Sequence, residues 1–137
     1  MTTATKPFKA AVIQAAAIPT DSIECALKAA SLIREAASNG AKVQVFPEAF
    51  LGGYPKGNSF GSPIGLRKPT GRADYATYYQ QAIDLNGEEI EIINEAVRET
   101  GAVVVIGCIE RDGGTLYCTA LYFSGKAGLA GKHRQPL

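Results

Sequence analysis

Glu48 is the residue of this sequence whose neighbours best suit acid–base chemistry. It lies in the stretch VQVFPEAFLGGYP, residues 43–55, directly after a strand-like apolar run. Carboxylates are seldom buried without a partner, and no cation lies close to this one in the sequence. A carboxylate held among Phe46, Phe50 and Leu51 would be desolvated, which raises its pKa and improves it as a base near neutral pH. The alternative is a loop carboxylate that faces water or caps the next turn.

Three cysteines, Cys25, Cys108 and Cys118, are candidate nucleophiles. Free cysteine is usually a small buried hydrophobe, and no base lies near any of the three in the sequence. Their number and spacing indicate neither a disulfide framework nor a zinc site. His133 is the only histidine, which argues against metal sites built on histidine clusters. We therefore expect no metal and a reducing, cytoplasmic compartment.

Two charged segments are weaker candidates for a functional site. The segment Glu110-Arg111-Asp112 could pair an acid with a base, but the glycines that follow favour a charged hairpin tip. The run at residues 132–134, Lys-His-Arg, is more typical of a solvated strand end than of an anion site. No Gly-x-Gly-x-x-Gly or Walker-type loop is present, which argues against nucleotide binding.

The composition describes an ordinary globular chain. Its 137 residues fit one domain, with 46% hydrophobic residues, 20% charged residues and a formal net charge of +1. The basic residues are scattered, so neither a nucleic-acid face nor an electrostatic membrane anchor is indicated. No apolar run approaches the ~20 residues that span a bilayer.

The first half of the chain predicts a strand–helix–strand unit that places Glu48. Residues 8–14 read as a short buried strand and residues 42–46 as the next strand. Between them, Asp21 is the predicted cap of a helix that ends at Asn39-Gly40. The predicted apolar stripe of this helix comprises Ile23, Leu27, Ala30, Ile33 and Ala37. We expect these two strands to pair in parallel through a right-handed crossover. Glu48 then lies at the carboxyl end of the second strand, where open α/β sheets bind ligands.

The second half predicts a helix followed by a meander. A loop over residues 52–72 precedes a weak helix at 74–85, which Tyr75, Tyr78 and Tyr79 would pack, and a stronger helix at 88–100. A buried strand at 102–107, a hairpin and a third strand at 129–134 complete the pattern. The fold class is α/β, with a mixed sheet and helices on one face. Its other face would be an apolar patch that needs a covering partner.

Three segments together resemble the nitrilase family of carbon–nitrogen hydrolases: KAAVIQAAA, FPEAFLGGYP and ERDGGTLYCTALYFSGKAGLAGKHR. The resemblance runs collinearly over nearly the whole chain. It implies that residues 1–137 form the N-terminal half of an α-β-β-α sandwich, a partial domain that ends before the nucleophile. It also implies a Glu–Lys–Cys triad, a thioimidate formed from a small nitrile, release of ammonia and carboxylic acid, no cofactor, and homo-oligomers.

Carried over by position, the resemblance makes Glu48 the general base and Tyr54 a pocket residue beside it. The family pattern Lys-His-Arg-Lys-Leu-Met-Pro puts Gln135 at the place of the catalytic lysine. Lys132 matches the first, non-catalytic lysine, and residues three apart on a strand point to opposite faces. The family's nucleophile lies in a Cys-Trp-Glu motif, whereas this chain has no tryptophan. The isolated chain is therefore predicted to be inactive; alternatively it is one subunit of a split nitrilase, or a non-catalytic module that associates with an intact relative.

Overall fold

The computed structural model of the chain describes residues 6–54, 60 and 68–136. Most of the predicted loop over residues 52–72 lies outside the described residues. In chain order the elements are β1 (Lys9–Val12), α1 (Ser22–Ser38), β2 (Ala41–Val45), α2 (Pro69–Gln81), α3 (Glu88–Thr100), β3 (Val103–Asp112), β4 (Thr115–Ser124) and β5 (Gly128–Arg134).

These strands form one mixed sheet in the order β1-β2-β3-β4-β5. The first three strands are parallel, and β3, β4 and β5 are joined as antiparallel neighbours. The predicted strand–helix–strand unit and the meander are therefore confirmed. The predicted strand at 102–107 and the first arm of the hairpin are one continuous strand, β3.

Helix α1 begins where the sequence predicts, because the Asp21 carboxylate accepts a hydrogen bond of 2.9 Å from the backbone N–H of Glu24. Its predicted apolar stripe is only partly right. Ala30 and Ile33 are buried, but Leu27 is 47% exposed. The buried side is formed mainly by smaller residues, namely Ser22, Cys25, Ala26, Ala29, Ala30 and Ile33. Small side chains let the helix lie close to the sheet and to α3, so size decides the buried side here.

Helices α1 and α3 cover one face of the sheet and enclose the core. Alternate residues of β3, Val104 and Ile106, point into this core together with Leu121 and Phe123 of β4. Helix α3 begins and ends as predicted, with Gly101 in the left-handed conformation at its C-terminus.

Helix α2 lies beside the far end of β3 rather than in the core. It starts at Pro69, earlier than the predicted 74, and Gly71 is its one buried residue. Tyr75 is 45% exposed, but its ring packs edge-on against Phe60 with 5.5 Å between the ring centroids, so the predicted packing by the tyrosines occurs at the surface rather than in the core. The helix is held at its other end, where the hydroxyl of Tyr79 donates to the carbonyl of Gly113.

The sheet face opposite α1 and α3 exposes apolar side chains. Val12 is 84% exposed, Val103 44%, Val45 41% and Tyr122 40%. The prediction that residues 8–14 form a buried strand is thus wrong, because β1 is the edge strand and one of its faces is open. Within the described residues, no helix has the length and apolar character needed to cross a bilayer.

A one-residue shift interrupts the pairing of β4 with β5. Tyr122 pairs with Gly131 and Phe123 pairs with Leu129, so Ala130 has no partner in the ladder. An extra residue of this kind reverses the alternation of side chains along the rest of the strand. Leu129 packs on the core side, and after the shift Lys132 and Arg134 point to that same side.

Candidate active site

Glu48 lies in a segment that follows β2 and runs along β3. The segment is tied to β3 by backbone hydrogen bonds from Phe46 to Val105, from Gly107 to Pro47 and from Leu51 to Gly107. Its apolar residues Phe46, Phe50 and Leu51 are buried, whereas Glu48 is exposed. The predicted desolvation of this carboxylate is therefore wrong for the chain by itself. The apolar neighbours in sequence turn into the core, and the carboxylate lies on the open side of the sheet.

Gly107 makes the close approach of this segment possible. A Cβ on residue 107 would lie 2.5 Å from the nitrogen of Ala49, 2.6 Å from the Cα of Glu48 and 2.7 Å from the oxygen of Pro47. Ala49 adopts a φ of +50°, a left-handed conformation uncommon outside glycine and asparagine. The backbone around Glu48 is thus held in a tight bend against β3. A glycine inside a valine-rich strand is the sequence signal for such an approach, and sequence reasoning missed it.

Cys118 of β4 donates a hydrogen bond to Glu48, with 3.3 Å between Sγ and Oε1. Burial, then the hydrogen bond and the negative charge of Glu48, raise the pKa of the Cys118 thiol to about 11. The thiol is therefore protonated near neutral pH and acts as a donor to the carboxylate. Its partner Glu48 lies 70 positions away in the chain, which is why the sequence shows no base beside Cys118.

The other two cysteines are buried on the core side. Burial raises the pKa of Cys108 to about 12 and also raises the pKa of Cys25, whose thiol donates to the carbonyl of Phe50 at 3.1 Å. Neither thiol has the exposure or the lowered pKa of a reactive cysteine. Among the described residues, no three His, Cys, Asp or Glu side chains cluster as metal ligands would.

A cavity of about 290 Å³ brings Glu48 and Gln135 together. Its polar side chains come from Glu48, Cys118, His133 and Gln135, and its walls include Phe46, Val105, Gly107, Thr119 and Ala120. The segment that follows β2 and the end of the edge strand β5 thus contribute to one concave site on the open face of the sheet.

Lys132 lies away from this cavity. Its ammonium group donates to Glu110 at 2.6 Å, on the side of the sheet that α1 and α3 cover. Arg134 binds the same carboxylate through two nitrogens, both at 2.9 Å. The prediction of a charged hairpin tip is wrong for Glu110, whose side chain is 2% exposed. The predicted solvated strand end at 132–134 is right in part, because the side chains of Lys132 and Arg134 are 38% and 31% exposed although both bind Glu110.

Tyr54 is not brought to the cavity of Glu48. It is 62% exposed and lines a separate concave region of about 230 Å³ with Pro19, Thr20, Asp74, Thr77 and Tyr78. Burial raises the pKa of the Tyr78 hydroxyl to about 12, with smaller contributions from Cys118, Tyr75 and Tyr54. The pocket role of Tyr54 stays a prediction.

Comparison with known proteins decides the family. The family model described as carbon-nitrogen hydrolase matches residues 9–136, nearly the whole chain. The chain belongs to the carbon–nitrogen hydrolase family. Its predicted resemblance to this family and the α/β fold class are confirmed.

Curated relatives of this carbon–nitrogen hydrolase include several nitrilases. The chain is 62% identical over 128 residues to a nitrilase of Bradyrhizobium diazoefficiens and 56% identical to an aliphatic nitrilase of Sinorhizobium fredii. It is 44% identical over 131 residues to a bifunctional nitrilase/nitrile hydratase of Nicotiana tabacum. These matches cover 93%, 93% and 96% of the chain but only 40%, 41% and 38% of the relatives. The chain thus spans about 40% of the length of the curated relatives it matches.

Solved structures share the fold at low sequence identity. An amidase from Nesterenkonia sp. superimposes with a TM-score of 0.63 at 14% identity, covering 96% of this chain and 44% of the amidase. A CN-hydrolase superfamily protein from Xanthomonas campestris gives a TM-score of 0.65 at 13% identity, covering 92% of this chain and 40% of that protein. At these identities the likeness concerns the fold alone.

Proposed function

We propose that this chain is a portion of a nitrilase whose complete form hydrolyses small organic nitriles to carboxylic acid and ammonia. The observation that carries the proposal is the 62% identity to the Bradyrhizobium diazoefficiens nitrilase over 128 residues. The cavity that Glu48 shares with Gln135 supports it, because these are the positions at which the family resemblance puts the general base and the lysine.

In the proposed reaction, Glu48 is the general base. It takes the proton of the nucleophilic thiol as sulfur adds to the nitrile carbon and passes it to the nitrile nitrogen, which gives a thioimidate. Water then adds to the thioimidate carbon and its protons pass to nitrogen, so that ammonia leaves and a thioester remains. A second water breaks the thioester, which releases the acid and restores the thiol. The nucleophile comes from a segment other than the three cysteines of this chain. Cys118 does not match the Cys-Trp-Glu motif in which the family resemblance puts the nucleophile, and we assign it the role of a donor that orients the Glu48 carboxylate.

Gln135 stands where the family resemblance puts the catalytic lysine, and this difference argues against activity. A carboxamide has no positive charge with which to stabilise an anionic intermediate. The loss of one such electrostatic group lowers turnover by roughly 100-fold or more. Together with the missing nucleophile, this predicts no nitrile hydrolysis by the isolated chain.

Ammonia release from a panel of nitriles tests the proposal in two stages. First, the purified chain is assayed alone, beside its Glu48→Gln variant. Turnover that Glu48→Gln abolishes would show that the inactivity prediction is wrong. Second, the chain is mixed with a polypeptide carrying the remaining 60% or so of the Bradyrhizobium diazoefficiens nitrilase.

The second stage compares four proteins: the natural chain, Gln135→Lys, Glu48→Gln, and the double variant. We expect activity with Gln135→Lys, at least about 100-fold less with the natural chain, and none with either Glu48→Gln protein. Equal activity of the natural chain and Gln135→Lys would refute the role assigned to position 135. Activity that survives Glu48→Gln would refute the general-base role.

The exposed apolar sheet face favours association as a second function. Val12, Val45, Val103 and Tyr122 are each at least 40% exposed on this face, and exposed apolar patches mark interaction surfaces. The chain would then be one subunit of a split nitrilase, or a non-catalytic module bound to an intact relative or to its own copies. Size-exclusion chromatography tests this with the chain alone, with an intact nitrilase, and with the complementary polypeptide of the second-stage assay; a chain that stays monomeric in all three runs has no such function.

A further inference from the structure

Glu110 is a buried acid that the proposed reaction does not use. It lies on β3, on the core side of the sheet, and its side chain is 2% exposed. Burial of a carboxylate is costly unless it is paired and hydrogen-bonded, so the molecule must supply partners for it. Two of its three partner residues come from β5, a strand that is not adjacent to β3.

Four donors surround the Glu110 carboxylate. The hydroxyl of Thr119 donates at 3.0 Å, Lys132 at 2.6 Å, and two nitrogens of Arg134 each at 2.9 Å. A carboxylate has about four lone-pair sites, so its capacity is filled. The Arg134 guanidinium also binds Asp112 at 2.7 Å and lies 3.7 Å from the centre of the Tyr117 ring, which fixes its plane.

These contacts reach across an intervening strand. Neighbouring strands lie roughly 4.8 Å apart, so β3 and β5 are separated by about 10 Å. Thr119 of β4 lies between them, and the long side chains of Lys132 and Arg134 span the distance. The end of β5 is thereby attached to two strands, although it pairs with only one.

β5 is the edge strand and has two anchors. At its start, the backbone N–H of Leu129 donates to the side-chain oxygen of Asn94 on α3 at 2.8 Å. At its end, Glu110 holds Lys132 and Arg134. Side chains alternate between the two faces of a strand, so fixing residues 132 and 134 on the core side directs His133 and Gln135 to the cavity of Glu48.

We propose that Glu110 is a positioning residue, which sets the position of Gln135 relative to Glu48 by anchoring the end of β5 from the opposite face of the sheet. It touches neither the cavity nor a reacting atom, and it acts through Lys132 and Arg134. The catalytic meaning of this anchor rests on the proposed function, whereas the anchor itself can be measured without a substrate.

The test compares Glu110→Gln with Asp112→Asn in the full 137-residue chain. Both changes replace a carboxylate partner of Arg134 with an amide, but Asp112 is 64% exposed. Amide hydrogen exchange is followed at Gln135, which donates to the Cys118 carbonyl at 2.8 Å, and at Leu129 at the other anchor. We expect exchange at Gln135 to be at least tenfold faster in Glu110→Gln, with Leu129 changed less than twofold. Asp112→Asn is expected to change both by less than threefold.

A spectroscopic signature separates positioning from general stability. His133 is the only histidine and pairs with Ala120, so a nuclear Overhauser effect between its ring and the Ala120 methyl reports the orientation of the strand end. We expect this signal to weaken in Glu110→Gln and to be retained in Asp112→Asn and partly in Glu110→Asp. Unchanged Gln135 exchange, or equal acceleration at Gln135 and Leu129, would overturn the proposal.

Two further arms keep the test decisive. If Glu110→Gln does not fold, Lys132→Met removes one donor only, and it must still accelerate exchange at Gln135 by about threefold; no change refutes the anchor. In the reconstituted Gln135→Lys enzyme, Glu110→Asp should lower kcat with little change in KM. Absence of activity in every reconstituted protein counts against the proposed function, and the exchange result then decides the anchor alone.

Discussion

Replacement of Gly107 by alanine should displace Glu48, because the added methyl group would meet three backbone atoms. The contacts of 2.5, 2.6 and 2.7 Å all involve residues 47–49, and ordinary van der Waals contact begins at 3.4 Å. The segment must therefore retreat by about 0.7–0.9 Å, since backbone atoms cannot move aside by rotation. Overpacking of this kind costs roughly 1–3 kcal/mol, and we expect a value in the upper half of that range.

The same displacement should release Cys118. Its hydrogen bond to Glu48 is 3.3 Å long, and an added 0.7–0.9 Å carries it to about 4 Å, at the limit for a sulfur donor. The raised pKa of the thiol depends partly on that contact. Gly107→Ala should therefore lower the thiol pKa and accelerate alkylation of Cys118 at pH 8.

Urea unfolding and iodoacetamide labelling with peptide mapping measure the two effects. Gly131→Ala is the matched control, because its methyl group would lie 3.9 Å from the Tyr122 ring, in open β5. We expect that control to be neutral or stabilised by up to about 1 kcal/mol, with alkylation unchanged. If Gly107→Ala is as stable as the natural chain, or alkylates at the natural rate, the close packing of Glu48 on β3 is refuted.

Further predictions concern charge and capping. Cys118, with a pKa of about 11, should alkylate roughly 100-fold more slowly at pH 8 than an unperturbed thiol. Glu48→Gln should accelerate this alkylation; an unchanged rate would show that Glu48 does not raise the pKa of the Cys118 thiol. Glu110 has its pKa lowered to about 2 from 4.5, so its stabilisation, on the order of 3 kcal/mol, is complete above pH 4.5 and lost towards pH 2. The difference in unfolding free energy between the natural chain and Glu110→Gln, measured in urea, should fall to zero over that interval. A difference that stays constant would contradict the lowered pKa of Glu110. Asp21→Ala removes the cap on the Glu24 amide and should cost about 1 kcal/mol in urea unfolding, against no change for Asp21→Asn.

Local patterns in the sequence were sufficient for most elements. Asp21 and Gly101 mark helix ends through hydrogen bonds and dihedral angles that depend on near neighbours, and both are found as predicted. The parallel start and the closing meander also follow from local periodicity and the crossover rule, whereas the place of β3 beside β2 was not predicted. The family assignment rested on long matching segments rather than on periodicity.

The errors concern quantities that depend on distant residues. The burial of residues 8–14 was mispredicted because edge position is a property of the whole sheet. Glu110 read as a hairpin tip because its cations are 22 and 24 positions away. The position of Glu48 at the carboxyl end of β2 is predicted correctly. Its exposure is not predicted, because the apolar residues beside it in sequence face the core.

The register of β5 beyond the unpaired Ala130 makes the cavity sensitive to insertions. Deleting Ala130 would keep every pair with β4 from Gly131 onward, so Lys132 and Arg134 would stay on the core side. Inserting one residue between 131 and 132 would instead exchange the two faces, so that Lys132 and Arg134 would face Glu48 and His133 and Gln135 would face the core. A two-residue insertion between 131 and 132 would preserve the facing but shift the strand end by about 6.7 Å, beyond the reach of Glu110. Length variation in β5 is therefore constrained more tightly than its open, glycine-containing sequence suggests.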